Sequence, residues 1–256
     1  MTTGAGTDLS ITAQLFNSEL HGSYADAMVS SAPETDGRRK AAAARRRARE
    51  TEIIAATRAL FDSRGVAEVQ IEHIARAVGI NRAIVYRHFT GKEELFALTL
   101  VGYLDELRAD LTAAADAAAD PRERLAAIVR SFVDYGLAHP PFVDCAQALM
   151  RRSGPELLDE ISESALFRLG RGISSCLTVL SSALEAGIAS GDFVLDNNDP
   201  ILLANMLYAN GLGALQLARV GILVKEAAPG VPTVGEIAPG QVRDYLVASA
   251  LALVSR

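Results

Sequence analysis

A 26-residue stretch, Gln70 to Leu95 (QIEHIARAVGINRAIVYRHFTGKEEL), constrains this chain more than any other. Its apolar residues recur at helical spacing in two short runs. Ile71, Ile74 and Ala75 form the inward face of the first, about Gln70 to Ala77; Val85 and Phe89 anchor the second, Arg82 to His88. Between them Val78-Gly79-Ile80 makes a tight turn, where glycine supplies a positive φ at no steric cost. Asn81 is placed to cap the second helix. Thr90 is predicted to cap a third, with Glu93 closing a capping box.

With Val85 and Phe89 turned inward, Arg82, Ala83, Ile84, Arg87 and the Tyr86 hydroxyl face outward. Small or long side chains at the start of an exposed second helix can reach base edges in a major groove. The pattern is therefore that of a helix-turn-helix DNA reader. Charge supports it. The whole chain carries a net −6, but residues 38–92 hold 13 basic and 5 acidic residues, net +8. Residues 1–37 are −5 and residues 93–256 are −9. A basic segment inside an acidic chain is the footprint of a nucleic-acid binder.

Three regions follow. Residues 1–37, polar and rich in Gly, Ser and Thr, are predicted to be a disordered N-terminal extension. Residues 38–92 are a basic arm and DNA-binding domain; Arg38 to Arg49 is either a flexible arm or an extension of the next helix, which spans about Arg47 to Arg64. Residues 93–256 read as helices throughout. One runs from the Pro121 start to His139, a short one ends at Met150, and a long one covers Glu156 to Ala189. A helix uncharged up to Arg219 spans Pro200 to Val220 and a last one Gln241 to Val254, with Gly221 to Gly240 between them predicted to be a connection. No strand is expected. The fold class is all-α: a three-helix DNA-binding head plus a helical bundle for ligand binding and dimerisation.

The spacing of Ile74-Ala75, Gly79, Val85-Tyr86, His88-Phe89 and Lys92-Glu93-Glu94-Leu95, after a leading helix ending in LFDSRG, resembles the TetR family of transcriptional regulators. The resemblance covers roughly Arg47 to Leu100. It implies that Tyr86 and Lys92 anchor phosphates, that Arg82, Ala83 and Ile84 read bases, and that Arg87 and His88 touch the backbone. An Arg82–guanine pair would carry ~1–3 kcal/mol of discrimination. The sequence departs from the family at Gln70 and Ile84, where the family often has Thr or Ser, and this bears on the operator. His73, outward on the first short helix, either reaches a phosphate or lies in solvent. Arg45, Arg46 and Arg47 either enter the minor groove as an arm or attract phosphates without specificity.

The resemblance also implies a cytoplasmic, nucleoid-associated homodimer that binds a palindromic operator and a small molecule. The sequence adds its own hints. A helix apolar all round, Pro200–Val220, is buried on two sides, by its own domain and by a partner. Ala204, Ala209, Gly211, Gly213 and Ala214 allow close approach there, and Tyr245, Leu246, Ala250 and Leu253 make the last helix a second contributor. Its 19-residue uncharged run holds Asn205, Asn210 and Gln216, which argues against a membrane span. Effector-pocket candidates are Phe132, Tyr135, Phe142, Cys145, Leu149, Phe167, Cys176, Asn205, Met206 and Tyr208. They imply a hydrophobic effector, fatty-acyl or aromatic, with no cofactor and no metal. Ligand-dependent activation, co-repression or a purely architectural role are the alternatives to a repressor. An enzyme is excluded by the lack of GxSxG, P-loop or HExxH motifs.

Overall fold

The computed structural model describes residues 33–195 and 199–255. The predicted disorder of residues 1–32 lies outside them. From Pro33 the chain is helical, so residues 33–37 correct the predicted extension, and of the two readings of the basic run the helical one holds. Two compact units divide between Ala44 and Arg45. Ten helices are present among the described residues: α1 Pro33–Arg64, α2 Ile71–Val78, α3 Arg82–His88, α4 Lys92–Ala117, α5 Pro121–Ala138, α6 Pro140–Met150, α7 Gly154–Glu160, α8 Glu163–Ser190, α9 Pro200–Val220 and α10 Pro239–Leu253. The described residues are mostly helical.

Ile53 and Phe61 of α1 enter a small core with Ile71, Ile74, Ala75, Val85 and Phe89 of the short helices. The Phe61 ring meets Phe96 of α4 edge-on at 5.3 Å, the favoured aromatic geometry. Gly79 turns the chain between α2 and α3 at φ 70°, and its N–H bonds back to Arg76. α4 is the spine. Its 26 residues run about 39 Å, from the head into the bundle. Leu100, Tyr103, Leu104, Leu107 and Leu111 form its buried stripe, packed against α5 and α8. Gly172 lets α8 come close to α4, since a Cβ there would sit 3.2 Å from Leu104.

α8 and α9 are each long and apolar enough to cross a membrane, yet their inward stripes pack inside the bundle. On α9 the inward residues are Leu203, Ala204, Gly211, Leu212, Leu215 and Ala218. Ala204 and Gly211 therefore serve the protomer's own core, and Leu246 and Ala250 of α10 do likewise.

The predicted connection after α9 is instead an antiparallel hairpin, β1 Ile222–Ala228 and β2 Val231–Glu236. Gly230, at φ 78°, makes its turn and donates to the Glu226 carboxylate at 2.6 Å. Pro232 and the two glycines of the hairpin, Gly230 and Gly235, hide the strand pattern. In a two-stranded ribbon Pro232 is tolerated because every strand is an edge. One face carries Val224 opposite Val234, both largely exposed.

Candidate nucleic-acid interface and effector cavity

Asn81 caps α3, its side chain accepting the Ala83 N–H at 2.7 Å. Arg82, Ala83, Tyr86 and Arg87 are exposed on that helix, Tyr86 by 47%. Ile84 is half-buried and so offers less surface to a groove than predicted. Arg82 is held. Its guanidinium donates to Glu72 of α2 at 2.7 Å and lies 5.4 Å from the centre of the Tyr86 ring. The Glu72 carboxyl sits below its usual pKa, through its own backbone N–H first and then the Arg82 charge.

His88 is a correction. Its side chain is only 15% exposed and its Nδ1 faces Glu50 of α1 at 3.4 Å, so that nitrogen ties α3 to α1 rather than reaching a phosphate. Burial raises the Glu50 carboxyl pKa, but hydrogen bonds from Arg46 and His88 outweigh it and leave it lowered. His73 is engaged too. Its Nδ1 accepts the Gln70 N–H at 3.2 Å, while its own backbone N–H bonds the Gln70 carbonyl at 2.9 Å. The His73 ring thus holds the start of α2, where the Gln70 side chain makes no cap. Arg45, Arg46 and Arg47 are exposed and helical, so they belong to α1 and not to a flexible arm. Arg46 pairs with Glu50 at 2.8 Å.

The predicted Thr90–Glu93 capping box does not form. Gly91 is the N-cap of α4 and brings no side chain, which leaves the first N–H groups of the helix open to an anion. Lys92 is half-buried beside them, its Nζ 5.0 Å from the Phe96 ring centre. Glu94 takes the role given to Glu93. Buried at 4% exposure, it accepts the Thr90 N–H at 2.5 Å, the Thr90 hydroxyl at 3.0 Å and the Ser162 hydroxyl. A buried carboxylate needs such donors. Ser162 caps α8, so Glu94 fastens the head end of α4 to the start of α8. Sequence reasoning passed over Glu94 because its donors come from 68 residues away as well as from its own turn.

A second link joins head and bundle. Arg58 of α1 donates to both Glu106 oxygens on α4, at 2.6 and 2.5 Å, and stacks on the Tyr103 ring at 4.2 Å. Tyr135 of α5 donates to the Tyr103 carbonyl at 2.9 Å and contacts Glu106 at 3.1 Å.

Deeper in the bundle lies a small apolar cavity of about 50 Å³. Leu107 and Leu111 of α4, Phe132 of α5, Cys176 and Leu180 of α8, Tyr208 of α9 and Leu246 of α10 are among its walls. Gly211 makes room for Phe132, whose ring atom would lie 2.5 Å from a Cβ there. Tyr208 stands edge-on to Phe132 at 5.9 Å. Its hydroxyl has no hydrogen-bond partner among the described residues, and burial pushes its pKa up.

Of the predicted pocket residues, Phe132, Cys176 and Tyr208 line this cavity. Phe142 packs behind Phe132, with ring centres 6.2 Å apart. Tyr135 is committed to the Arg58–Glu106 link. Cys145 and Leu149 are buried elsewhere in the core. Phe167 and Met206 are more than half exposed, and the Asn205 amide turns back to the Ile201 carbonyl at 2.9 Å. The last two corrections share a cause: on α9 the inward positions are 204, 207–208 and 211, which turns 205 and 206 away.

Residues 53–98 match the family model described as bacterial regulatory proteins, tetR family. The HTH-type transcriptional regulator BetI of Rhizobium meliloti (strain 1021) is 40% identical over 78 residues, 30% of this chain and 38% of that protein. The match therefore spans well under half of that relative. Over the whole fold the chain is similar to RolR in complex with resorcinol, at a TM-score of 0.59 and 18% identity, covering 83% of this chain and 90% of that one. It is likewise similar to the regulator FadR from Bacillus subtilis in complex with stearoyl-CoA, at a TM-score of 0.56 and 14% identity, covering 80% and 99%. These likenesses show the fold. Residues 53–98 thus match the tetR family of bacterial regulatory proteins by sequence, and the chain is similar to solved bacterial regulators in fold.

Proposed function

We propose that the chain is a ligand-responsive transcriptional repressor, a homodimer that binds a palindromic operator and is released by a small hydrophobic effector. The observation that carries this reading is α4. One continuous helix holds Lys92 at its head end and Leu107 and Leu111 in the cavity wall. A ligand that spreads the cavity favours one position of α4 over another, and so one spacing of the two heads. It shifts the equilibrium by its differential affinity for the two.

The cavity walls are almost wholly apolar, with the Tyr208 hydroxyl and the Cys176 thiol as polar exceptions. An acyl chain or an aromatic ring matches such walls in chemistry and would have to spread them to enter. The similar structures carry ligands of both kinds, stearoyl-CoA and resorcinol.

Selection of bound DNA from a random library, repeated with decanol or a phenol present, tests the reading. A palindrome is expected, bound without ligand and released with it. A flat sequence preference with a steep salt dependence would instead indicate an architectural binder. Tighter binding with ligand would make it a co-repressed or activated system.

A further inference from the structure

On the outer side of the same α4–α8 pair lies a second, polar groove of about 560 Å³. It is lined by Asp105 and Arg108 of α4 and by Arg168, Arg171 and Ser175 of α8. Positions 101, 105 and 108 form one stripe of α4; positions 168, 171, 172 and 175 form one stripe of α8. The two stripes face each other because Gly172 brings the helices together.

Arg108, Arg168 and Arg171 make no side-chain hydrogen bond or ion pair among the described residues. Arg151 alone shares this among the other described arginines of the bundle: Arg130, Arg152, Arg219 and Arg243 each hold a carboxylate, Arg124 holds two carbonyls and Arg122 holds the Ser255 hydroxyl. Residues 93–256 carry 21 acids against 12 bases, so partners are plentiful. Three unpaired guanidiniums in one groove, against the single acid Asp105, make a local positive site in an acidic body. Guanidinium forks match phosphate oxygens in pairs.

We propose that this groove binds the phosphate or pyrophosphate group of an amphiphilic effector whose apolar part occupies the neighbouring cavity, an inference that rests on the cavity reading above. The two sites touch the same turns. Arg108 follows Leu107 of the cavity wall, and Ser175 precedes Cys176. The groove's field reaches that wall: burial pushes the Cys176 thiol up to about 12, with Arg108 pulling it down and Asp105 raising it. A phosphate bridging Arg108 to Arg168 and Arg171 would clamp α4 to α8. Arg108 lies 16 residues along α4 from Lys92, about 24 Å from the DNA-facing end.

Calorimetric titration of the full chain with decyl phosphate, decanol and inorganic pyrophosphate tests this. Decyl phosphate should bind at least about tenfold more tightly than decanol. The Arg168→Gln/Arg171→Gln variant should lose that advantage while binding decanol as before. Pyrophosphate should compete with decyl phosphate in the unaltered protein and not in the variant, which separates this site from phosphate contacts in the head. Equal affinities for decanol and decyl phosphate, or an advantage that survives in the variant, would overturn the groove and leave the cavity reading standing. Arginine-dependent pyrophosphate binding with no decanol binding would overturn the cavity reading and the amphiphile, leaving a plain anion site.

Discussion

Arg82 cannot hold Glu72 and a guanine at once. The ion pair on the α2–α3 surface is exposed and so weak, but it must break before the guanidinium turns to a base. Glu72→Gln should therefore tighten binding to all DNA by a few fold, since it also removes a negative charge from the interface. In a filter-binding or anisotropy assay, unchanged or weaker binding would show that Glu72 orients Arg82 productively. Arg82→Ala should relax specificity, whereas Lys92→Ala, at the uncapped start of α4, should weaken every sequence alike and lower the salt slope by about one. Equal effects of both substitutions on operator and random DNA would count against these roles. Glu106 is the residue to watch with pH. The hydrogen bond from Arg58 holds its carboxyl below the ordinary 4.5, ahead of the opposing effect of burial. A folded-state pKa below the unfolded one stabilises above the ordinary value and is lost as pH falls through the lowered one. The carboxylate is half exposed, so the contribution is about 1 kcal/mol or less. Thermal melts of Glu106→Gln should run below those of the unaltered protein at neutral pH and converge with them in acid. A constant gap at all pH values would mean that packing, not charge, sets the difference.

At the scale of elements, close packing fixes where the helices end. Gly187 sits in the last turn of α8, and a Cβ there would lie 2.1 Å from the Phe193 ring. Phe193 is buried and its neighbour Val194 donates to the Val254 carbonyl at 3.0 Å, which ties the end of α8 to the end of α10. Gly187→Ala should cost about 1–3 kcal/mol by overpacking, several degrees of melting temperature. Gly170→Ala, with nothing within 4 Å, should be neutral or slightly stabilising. Similar melting temperatures for the two variants would refute the packing account. Such contacts also mark the limit of what the sequence discloses. The head was legible because α2, the Gly79 turn and α3 are fixed by neighbours within 26 residues. The helices of the bundle were legible as helices, since periodicity is local. What they face was not: α9 is apolar all round, so nothing in its sequence separates Leu207 and Tyr208, which line the cavity, from Met206, which does not. The hairpin stayed hidden because Pro232 and its glycines read as loop. Glu94 and Glu72 stayed hidden because their partners are set by tertiary packing.

For the whole molecule, the side of α9 that its own bundle leaves open bears on assembly. Leu202, Met206, Ala209, Gly213, Leu217 and Val220 are all exposed and recur at three- and four-residue spacing along the helix. On α10, Gln241, Tyr245, Ala248 and Ala252 do the same. A contiguous apolar stripe of this length is rare on a monomer and marks a contact surface. Ala209 and Gly213 at its centre, rather than Ala204 and Gly211, are the positions that would let two copies of α9 approach closely. If a two-fold pairing of α9 and α10 forms the dimer, charges placed on the stripe should break it without touching the core. Leu202→Asp/Met206→Asp is expected to convert dimer to monomer in sedimentation velocity at micromolar concentration, with helical content retained. It should also weaken binding to a palindromic site far more than to a single half-site, because only the dimer engages both halves with one reduced entropic cost. A dimer that survives this double substitution would place the interface elsewhere. A monomer that still prefers the full palindrome would mean that the two heads are coupled through the DNA and not through α9.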